Sequence, residues 1–519
     1  MLGGSCQSIG TRNLGASDSR AINSLINDRQ RYDRKGPGHR QKNQDFIGLS
    51  ALDQQEYKVM KKQQSTEPFN RREFLRGSSL ASLMAMMGAV EIKAQEKKAE
   101  GSSEEESRPV GPPVNCAVIG CGFQGRDIVA ALSRLPNAPI VGLCDKYPAW
   151  VKRTKTSAPK AEGYEDYKKV LENRDVQAVI VATPTHQHRE IVEAALGAGK
   201  HVYCEAPIAH TVEDARVIAK AAKAAVKQNF QAGLQLRSDP QRHYIMSEFV
   251  RNGAHGRFIK ARAQFNKKQT WRRSAPTPER SEELNWRMNS KTSLGLVGEI
   301  GIHQIDSISW FFSSRPNAVS GQGSLIFHED GRDVPDTVEA IFEYPEGMLL
   351  SYGSTLASSF DSEYDLIYGS DSSFLMRGRK GWLFKEVDAP LLGWEVYAKK
   401  EQVNRETGIV LRADATKLQA RDNEDGASDV VPVEQTPLYS SLQAFVENTG
   451  IVASGAEDFV AAYGDNLKEL ANYMAGLNKS KLPAAGFKEG FEAAVTVIKA
   501  NEAIAGKKRI VLQDEWYQI

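Results

Sequence analysis

The segment 114–125, VNCAVIGCGFQG, is an apolar run that breaks into a glycine-rich turn. Its three glycines have the spacing of a dinucleotide-binding turn: Gly120 makes the tight turn, Gly122 lets the backbone approach a pyrophosphate, and Gly125 packs the next helix on its strand. The phosphates are expected at the N-terminus of that helix. The candidate cofactor residues of this turn are Gly120, Gly122, Phe123, Gln124 and Gly125.

A second apolar run, residues 139–144, ends on Asp145. A carboxylate at this place accepts hydrogen bonds from the ribose hydroxyls and repels a 2′-phosphate, which predicts NAD as the cofactor. The neighbouring Lys146 would attract such a phosphate, so NADP stays an open alternative.

Strand-like and helical patterns alternate beyond Asp145. Apolar runs occur at 176–182, 201–204 and 230–234, and helical spacings occur at 165–172, 187–196 and 212–228. This alternation is typical of the α/β class, with a doubly wound parallel sheet and helices on both of its faces. We predict a Rossmann domain over residues 114–236.

The N-terminal region contains Arg71 and Arg72, followed by Phe74, Leu75 and an apolar stretch at 80–90. This arrangement resembles a twin-arginine export signal, and it predicts a folded protein carried to the periplasm by the twin-arginine export machinery. A basic amphipathic surface helix is the alternative interpretation.

We place the signal at residues 60–94 and a polar linker at 95–113. Residues 1–59 are polar and unpatterned. They are expected to be a disordered extension, or to precede a true start at Met60.

Composition narrows the choice of partners. The chain has 67 Lys and Arg against 65 Asp and Glu, which gives no reason to expect a nucleic-acid partner. No apolar run approaches the ~20 residues that span a bilayer. Five cysteines without metal-ligand spacing predict buried free thiols and no metal site. A small-molecule ligand is therefore expected.

Further short motifs follow the glycine turn. They are Ala182-Thr183-Pro184 followed by His188, Glu205-Ala206-Pro207, Trp286-Arg287, and Glu299-x-Gly301-x-His303-x-x-Asp306. With these motifs the chain, from about residue 114 to its end, resembles the Gfo/Idh/MocA oxidoreductases. The resemblance implies an NAD(P)-dependent enzyme acting on a CH–OH group of a sugar, cyclitol or glycoside. It also implies a homo-oligomer and a second domain built on a large, mostly antiparallel sheet, which we place at residues 237–519.

The resemblance also assigns roles to residues. His303 and Glu299 are the candidate catalytic pair, Thr183, Pro184, His188 and Glu205 join the cofactor site, and Trp286, Arg287 and Asp306 face the substrate. If residues 298–312 are one helix, Glu299, His303 and Asp306 share a face, and the carboxylate can orient the imidazole and raise its basicity. The alternatives are a solvated helix face with an incidental histidine, a structural role for His188, and an ordinary aromatic anchor at Trp286.

Two positions depart from the family pattern. Ala206 replaces a lysine that assists proton transfer in the family, and Glu299 replaces an aspartate.

Three functions stay open: an oxidoreductase, a redox-neutral hydrolase or lyase of glycosides that uses bound NAD, and a nucleotide-binding protein without catalysis. Export to a compartment without a dependable cofactor supply favours a tightly bound cofactor in each case.

Overall fold

The computed structural model describes residues 111–411 and 436–519. The predicted extension at 1–59, the predicted signal at 60–94 and most of the predicted linker lie outside the described residues. Within the described part, the chain forms a parallel sheet and a larger mixed sheet, each covered by helices.

The parallel sheet has six strands among the described residues. They are β1 (Cys116–Ile119), β2 (Ile140–Cys144), β3 (Glu162–Tyr164), β4 (Ala178–Val181), β5 (His201–Cys204) and β6 (Phe230–Ala232). Their order is β3-β2-β1-β4-β5-β6, and every neighbouring pair is parallel. The order reverses at β1, which places a ligand crevice at the carboxyl ends of β1 and β4. The predicted doubly wound sheet is confirmed.

Five helices accompany these strands. They are α1 (Phe123–Leu132), α2 (Pro148–Thr154), α3 (Tyr167–Glu172), α4 (His188–Gly197) and α5 (Val212–Ala224). Helix α1 buries Ile128, Val129 and Leu132 against the sheet, as its three- and four-residue apolar spacing requires. The described cysteines are buried free thiols, as predicted: Cys116, Cys121, Cys144 and Cys204.

The larger sheet has ten strands among the described residues. They are β7 (Phe258–Asn266), β8 (Ala318–Ser324), β9 (Thr337–Glu343), β10 (Leu349–Thr355), β11 (Glu363–Gly369), β12 (Ser372–Arg377), β13 (Lys380–Lys385), β14 (Lys400–Val403), β15 (Glu406–Leu411) and β16 (Ile510–Val511). Their order is β14-β15-β13-β12-β11-β7-β10-β9-β8-β16. The β7–β10 pair is parallel and the other pairs are antiparallel, so the predicted mostly antiparallel sheet is confirmed.

Among the described residues, seven further α-helices follow the first domain. They are α6 (Pro240–Ile245), α7 (Pro278–Leu284), α8 (Gly295–Glu299), α9 (Ile302–Phe311), α10 (Pro437–Tyr463), α11 (Leu467–Gly476) and α12 (Phe487–Gly506). Helix α10 returns to the parallel sheet, where the Phe445 ring lies 5.6 Å from that of Tyr203 and shares a core with helix α1. Residues 237–519 therefore supply part of the packing of the first domain.

Two short elements of the first domain, β3 and α2, have no counterpart in the predicted pattern. At the far edge of the large sheet, β14 and β15 form a hairpin.

Among the described residues, no helix is both long enough and apolar enough to cross a membrane.

Candidate functional site

A cavity of about 1040 Å³ lies where the carboxyl ends of the parallel strands meet the second domain. Its volume is at the upper end of the range of about 300–1,000 Å³ for small-molecule sites. The predicted residues that line it are Gly120, Gly122, Phe123, Gln124, Asp145, Thr183, Pro184, His188, Glu205, Trp286, Arg287, Glu299 and His303. The structure thus brings thirteen candidate residues to one site, while Gly125 and Asp306 do not line it.

The glycine turn has the shape that a dinucleotide needs. Gly120 has a φ of +101°, and a Cβ on it would lie 2.5 Å from the Ala182 carbonyl oxygen. A Cβ on Gly125 would lie 1.8 Å from the Gly120 oxygen, so this glycine packs the helix on the turn. Helix α1 begins after Gly122 without a side-chain cap, which leaves its first amides available to an anion. The residues present fit a bound pyrophosphate.

Asp145 is held in place at the end of β2 by backbone amides. Its carboxylate accepts hydrogen bonds from the amides of Cys121 and Tyr147, each at 2.9 Å. Burial raises the pKa of the Asp145 carboxyl. The Lys146 ammonium, which lines the cavity, donates a hydrogen bond to the Glu283 carboxylate of helix α7. This pairing weakens the attraction for a 2′-phosphate that Lys146 would otherwise supply.

The cavity floor is formed by the turn after β4. The His188 ring lies between the carbonyl oxygens of Thr183, at 2.9 Å, and Pro207, at 3.1 Å. It is buried, and burial lowers its pKa to about 4. His188 therefore links the turns that follow β4 and β5, and shapes the floor from within.

Glu205 brings a buried carboxyl group to the middle of the cavity, next to Ala206. Its Oε1 accepts a hydrogen bond from Gln124 Nε2 at 2.9 Å. Burial raises the pKa of Glu205 to about 7. This group is able to exchange a proton near neutral pH, at the position next to the family lysine that Ala206 replaces.

The segment with Glu299 and His303 differs from the predicted single helix. Helix α8 ends at Glu299, Ile300 leaves the helical region with φ −126° and ψ −52°, and α9 starts at Ile302. The prediction that Glu299 and His303 share one helix face is therefore wrong, because the chain changes direction at the break between them.

Because of the break, the Glu299 carboxylate contacts other groups than His303. It accepts hydrogen bonds from Thr185 Oγ1 at 3.1 Å and from the Leu294 amide at 3.1 Å. The Arg287 guanidinium lies 3.9 Å away and, together with these donors, opposes the rise in the pKa of Glu299 that burial causes. Glu299 fixes the wall that links the turn after β4 to helix α8.

The His303 side chain lines the cavity from the first turn of α9. Burial and the nearby Arg242 guanidinium lower the pKa of His303 to about 4, in contrast to the raised basicity expected from Glu299. Its buried Nδ1 has no hydrogen-bond partner among the described residues. The ring is thus neutral near pH 7 and can accept a proton.

Asp306 does not reach the cavity. Its carboxylate accepts two hydrogen bonds from the Arg237 guanidinium, at 2.8 and 2.9 Å, outside the cavity. The predicted contact of Asp306 with substrate conflicts with this geometry, because the buried ion pair occupies both carboxylate oxygens.

Several cavity residues carried no sequence signal. Thr185 and Tyr147 line the cavity within two residues of predicted positions, and Gln235, Trp271 and Arg273 line it from chain positions away from the motifs. The neighbouring lining residues Arg280 and Glu283 belong to α7. Only the fold brings this segment opposite the glycine turn.

Comparison with known proteins agrees with this architecture. Residues 114–233 match the model described as "Oxidoreductase family, NAD-binding Rossmann fold", and residues 245–384 match that of the GFO/IDH/MocA C-terminal domain. The two matches together span half of the 519 residues. The first domain is an NAD-binding Rossmann domain.

Relatives include two dehydrogenases of carbohydrate-like compounds. Levoglucosan dehydrogenase of Pseudarthrobacter phenanthrenivorans is 26% identical over 295 residues, covering 50% of this chain and 73% of its own. Myo-inositol 2-dehydrogenase of Thermotoga maritima is 26% identical over 270 residues, covering 52% and 74%.

Solved structures share the fold. An oxidoreductase domain protein from Kribbella flavida has a TM-score of 0.59 at 19% identity, covering 78% of this chain and all of that one. A levoglucosan dehydrogenase in complex with NADH has a TM-score of 0.57 at 18% identity, covering 77% and 99%.

Proposed function

Because the chain belongs to the Gfo/Idh/MocA oxidoreductase family, we propose that it oxidises a CH–OH group of a sugar, cyclitol or glycoside with NAD. The observation that carries this proposal is the common cavity. The glycine turn and Asp145 line one end of it, and Glu205, Glu299 and His303 line the other. A dinucleotide at the first end and a small polyol at the second would meet inside it.

In this proposal His303 accepts the proton of the reacting hydroxyl. Burial and the Arg242 guanidinium lower the pKa of this imidazole to about 4, so the ring is neutral at neutral pH and has a free lone pair, but it is a weaker base than an ordinary histidine. A bound NAD would accept the hydride from the same carbon at its nicotinamide ring. Glu299, fixed by Thr185 and the Leu294 amide, holds the opposite wall in position.

The carbohydrate class rests on the relatives and on the wall of the cavity. Levoglucosan and myo-inositol, named for the two relatives, are both polyhydroxylated rings. Trp271 and Trp286 offer apolar planes, and the Arg287 guanidinium supplies a fork of donors 5.1 Å from the Trp286 ring. Such a combination suits sugar rings, which have apolar faces and hydroxyl edges.

The direct test is to add a panel of sugars, cyclitols and glycosides to the NAD-loaded protein and to follow NADH absorbance. Formation of NADH together with an oxidised product supports the proposal. A protein that carries NAD but reduces none of it with any member of the panel contradicts the oxidoreductase assignment.

A second candidate function is redox-neutral cleavage of a glycoside, with transient oxidation of the sugar. Ala206 fits this function as well as the first one, because the ammonium of the family pattern is replaced by a methyl group beside Glu205. Release of an aglycone without net NADH identifies this reaction. In Ala206→Lys, a faster oxidative half-reaction would instead indicate an oxidoreductase that works without its usual lysine.

We also propose export through the twin-arginine route with the cofactor already bound. The support is the sequence Arg71-Arg72 before a short apolar stretch. Replacing both arginines with lysine keeps the charge but removes the guanidinium pair. Cell fractionation should then find the folded, NAD-containing protein in the cytoplasm, and unchanged export would contradict the proposal.

A further inference from the structure

A segment of the second domain crosses the cavity and contacts the Rossmann domain at the adenosine end. This segment, residues 271–285, includes helix α7 and is here called the strap. At its far end the Glu283 carboxylate accepts hydrogen bonds from the Lys146 ammonium and the Tyr147 hydroxyl. Lys146 and Tyr147 directly follow Asp145, the residue placed at the ribose. The strap thus closes the groove where the ribose would lie.

Two arginines extend the contact along the groove. The Arg280 guanidinium lies 3.9 Å from the Tyr147 ring centroid, and that of Arg273 lies 3.9 Å from the Phe123 ring centroid. Phe123 is the first residue of α1, next to the amides that would hold the pyrophosphate. The strap therefore faces the groove at both its ribose and its pyrophosphate ends.

The strap is internally braced. The Arg273 amide donates to Asn285 Oδ1 at 2.6 Å, and Asn285 Nδ2 donates back to the Arg273 carbonyl at 3.0 Å. Helix α7 between them starts with Pro278, and the Thr277 hydroxyl accepts from the Arg280 amide. Arg273, Arg280 and Glu283 consequently sit on one stiff unit and meet the groove together.

We propose that the strap is a latch that retains the dinucleotide, and that Glu283 is a second carboxylate selecting NAD over NADP. The inference rests on the proposed NAD-dependent function. Glu283 pairs with the Lys146 ammonium, a cation that directly follows Asp145 and would otherwise be free to attract a 2′-phosphate. With Asp145, it also places two carboxylates at the ribose, and both repel such a phosphate.

The contact between the strap and Lys146 is weak enough for the latch to open and admit the dinucleotide. The Lys146 and Glu283 side chains are each about half exposed, so solvent screens their pair and the latch can open. Loss of the two Glu283 contacts should speed NAD release about 3- to 10-fold. The loss should also shift the NADP-to-NAD affinity ratio toward NADP by about 3- to 10-fold.

The test compares Glu283→Gln with Glu282→Gln, which removes the same charge from the adjacent, exposed residue of α7. NAD-loaded proteins are diluted into excess labelled NAD, and retained unlabelled NAD is measured by mass spectrometry over time. A second incubation with equal NAD and NADP gives the occupancy ratio. We expect faster exchange and more bound NADP in Glu283→Gln, and wild-type behaviour in Glu282→Gln.

Tyr147→Phe separates the two roles. It removes the hydroxyl that donates to Glu283 but leaves the ion pair with Lys146, so exchange should accelerate while the NADP share stays at the wild-type value. Wild-type exchange and wild-type NADP occupancy in Glu283→Gln would overturn the latch while leaving the proposed function intact. A protein that binds no dinucleotide at all would overturn both.

Discussion

The two ends of the cavity are built from different chemical groups. At the dinucleotide end the wall includes closely packed backbone, with a tight turn at Gly120 and the open amides of α1. At the reacting end it consists of the buried ionisable side chains of Glu205, Glu299 and His303. The first end tolerates almost no added volume, whereas the second is sensitive to charge and protonation. Substitutions should therefore act on folding and cofactor binding at one end, and on rate and pH dependence at the other.

The largest effect is expected for Gly125→Ala. The new Cβ would lie 1.8 Å from the Gly120 oxygen, a contact that backbone atoms cannot relieve without opening the turn. We expect destabilisation of more than about 3 kcal/mol, measured by denaturant unfolding. Gly122→Ala is the control, because its Cβ would meet only the Trp150 ring at 3.5 Å. This control should fold and lose affinity for NAD, and a normally stable Gly125→Ala would refute the steric argument.

His303→Ala tests the reacting end. Removal of the proposed base should lower kcat by about 10²- to 10⁴-fold while the bound NAD content stays at the wild-type level. The measurements are turnover on a substrate confirmed for the wild type and mass spectrometry of retained cofactor. His328→Ala, a histidine that does not line the cavity, serves as control. Full activity in His303→Ala would rule out its role as the base.

Asp306→Asn distinguishes a structural role from a substrate contact. The change leaves the Arg237 guanidinium without its anionic partner in a mostly buried site. Such loss should cost about 2–4 kcal/mol of folding free energy, with KM little changed. Asp514→Asn, which removes the exposed partner of Arg315, should have a much smaller effect. A stable Asp306→Asn with a greatly raised KM would restore the substrate role that the sequence predicted.

Glu205→Gln should give a smaller, pH-dependent effect. The folded pKa of about 7 lies above the ordinary value of 4.5, so ionisation of Glu205 weakens folding as pH rises from 4.5 to 7. The variant lacks this ionisation and should be more stable than wild type at pH 8 by about 1–3 kcal/mol, with the difference vanishing near pH 4. Denaturant unfolding at both pH values, with the exposed Glu457→Gln as control, measures it. A difference that does not change with pH would contradict the raised pKa.

Much of the first domain was predictable because its signals are local. Strand β5 has the predicted bounds of residues 201–204, and β1, β2, β4 and β6 fall within the predicted apolar runs. Such runs are buried on both faces and read as continuous hydrophobic segments. Strand β3, by contrast, contains Glu162, Gly163 and Tyr164 at a sheet edge, where no apolar run is required.

The candidate site divides in the same way. Thirteen predicted residues line one cavity. They were predictable because the family motifs mark residues of the cofactor and substrate sites. The side on which a residue faces was less predictable. The break at Ile300 gives Glu299 a different direction from α9, and Arg237 binds the Asp306 carboxylate outside the cavity. Helix spacing alone contains no signal for either event.

By itself, the sequence determined the glycine turn and the strand–helix alternation, since these depend on conformational preferences of adjacent residues. The sequence motifs also identified the reactive side chains. Only the tertiary structure decided which charges meet. Thr185 and Glu299 are 114 positions apart, and Lys146 and Glu283 are 137 apart. Contacts over such separations depend on how two domains pack and on which buried groups lose water. The pKa values of Glu205 and His303 follow from that burial, which residue order does not specify.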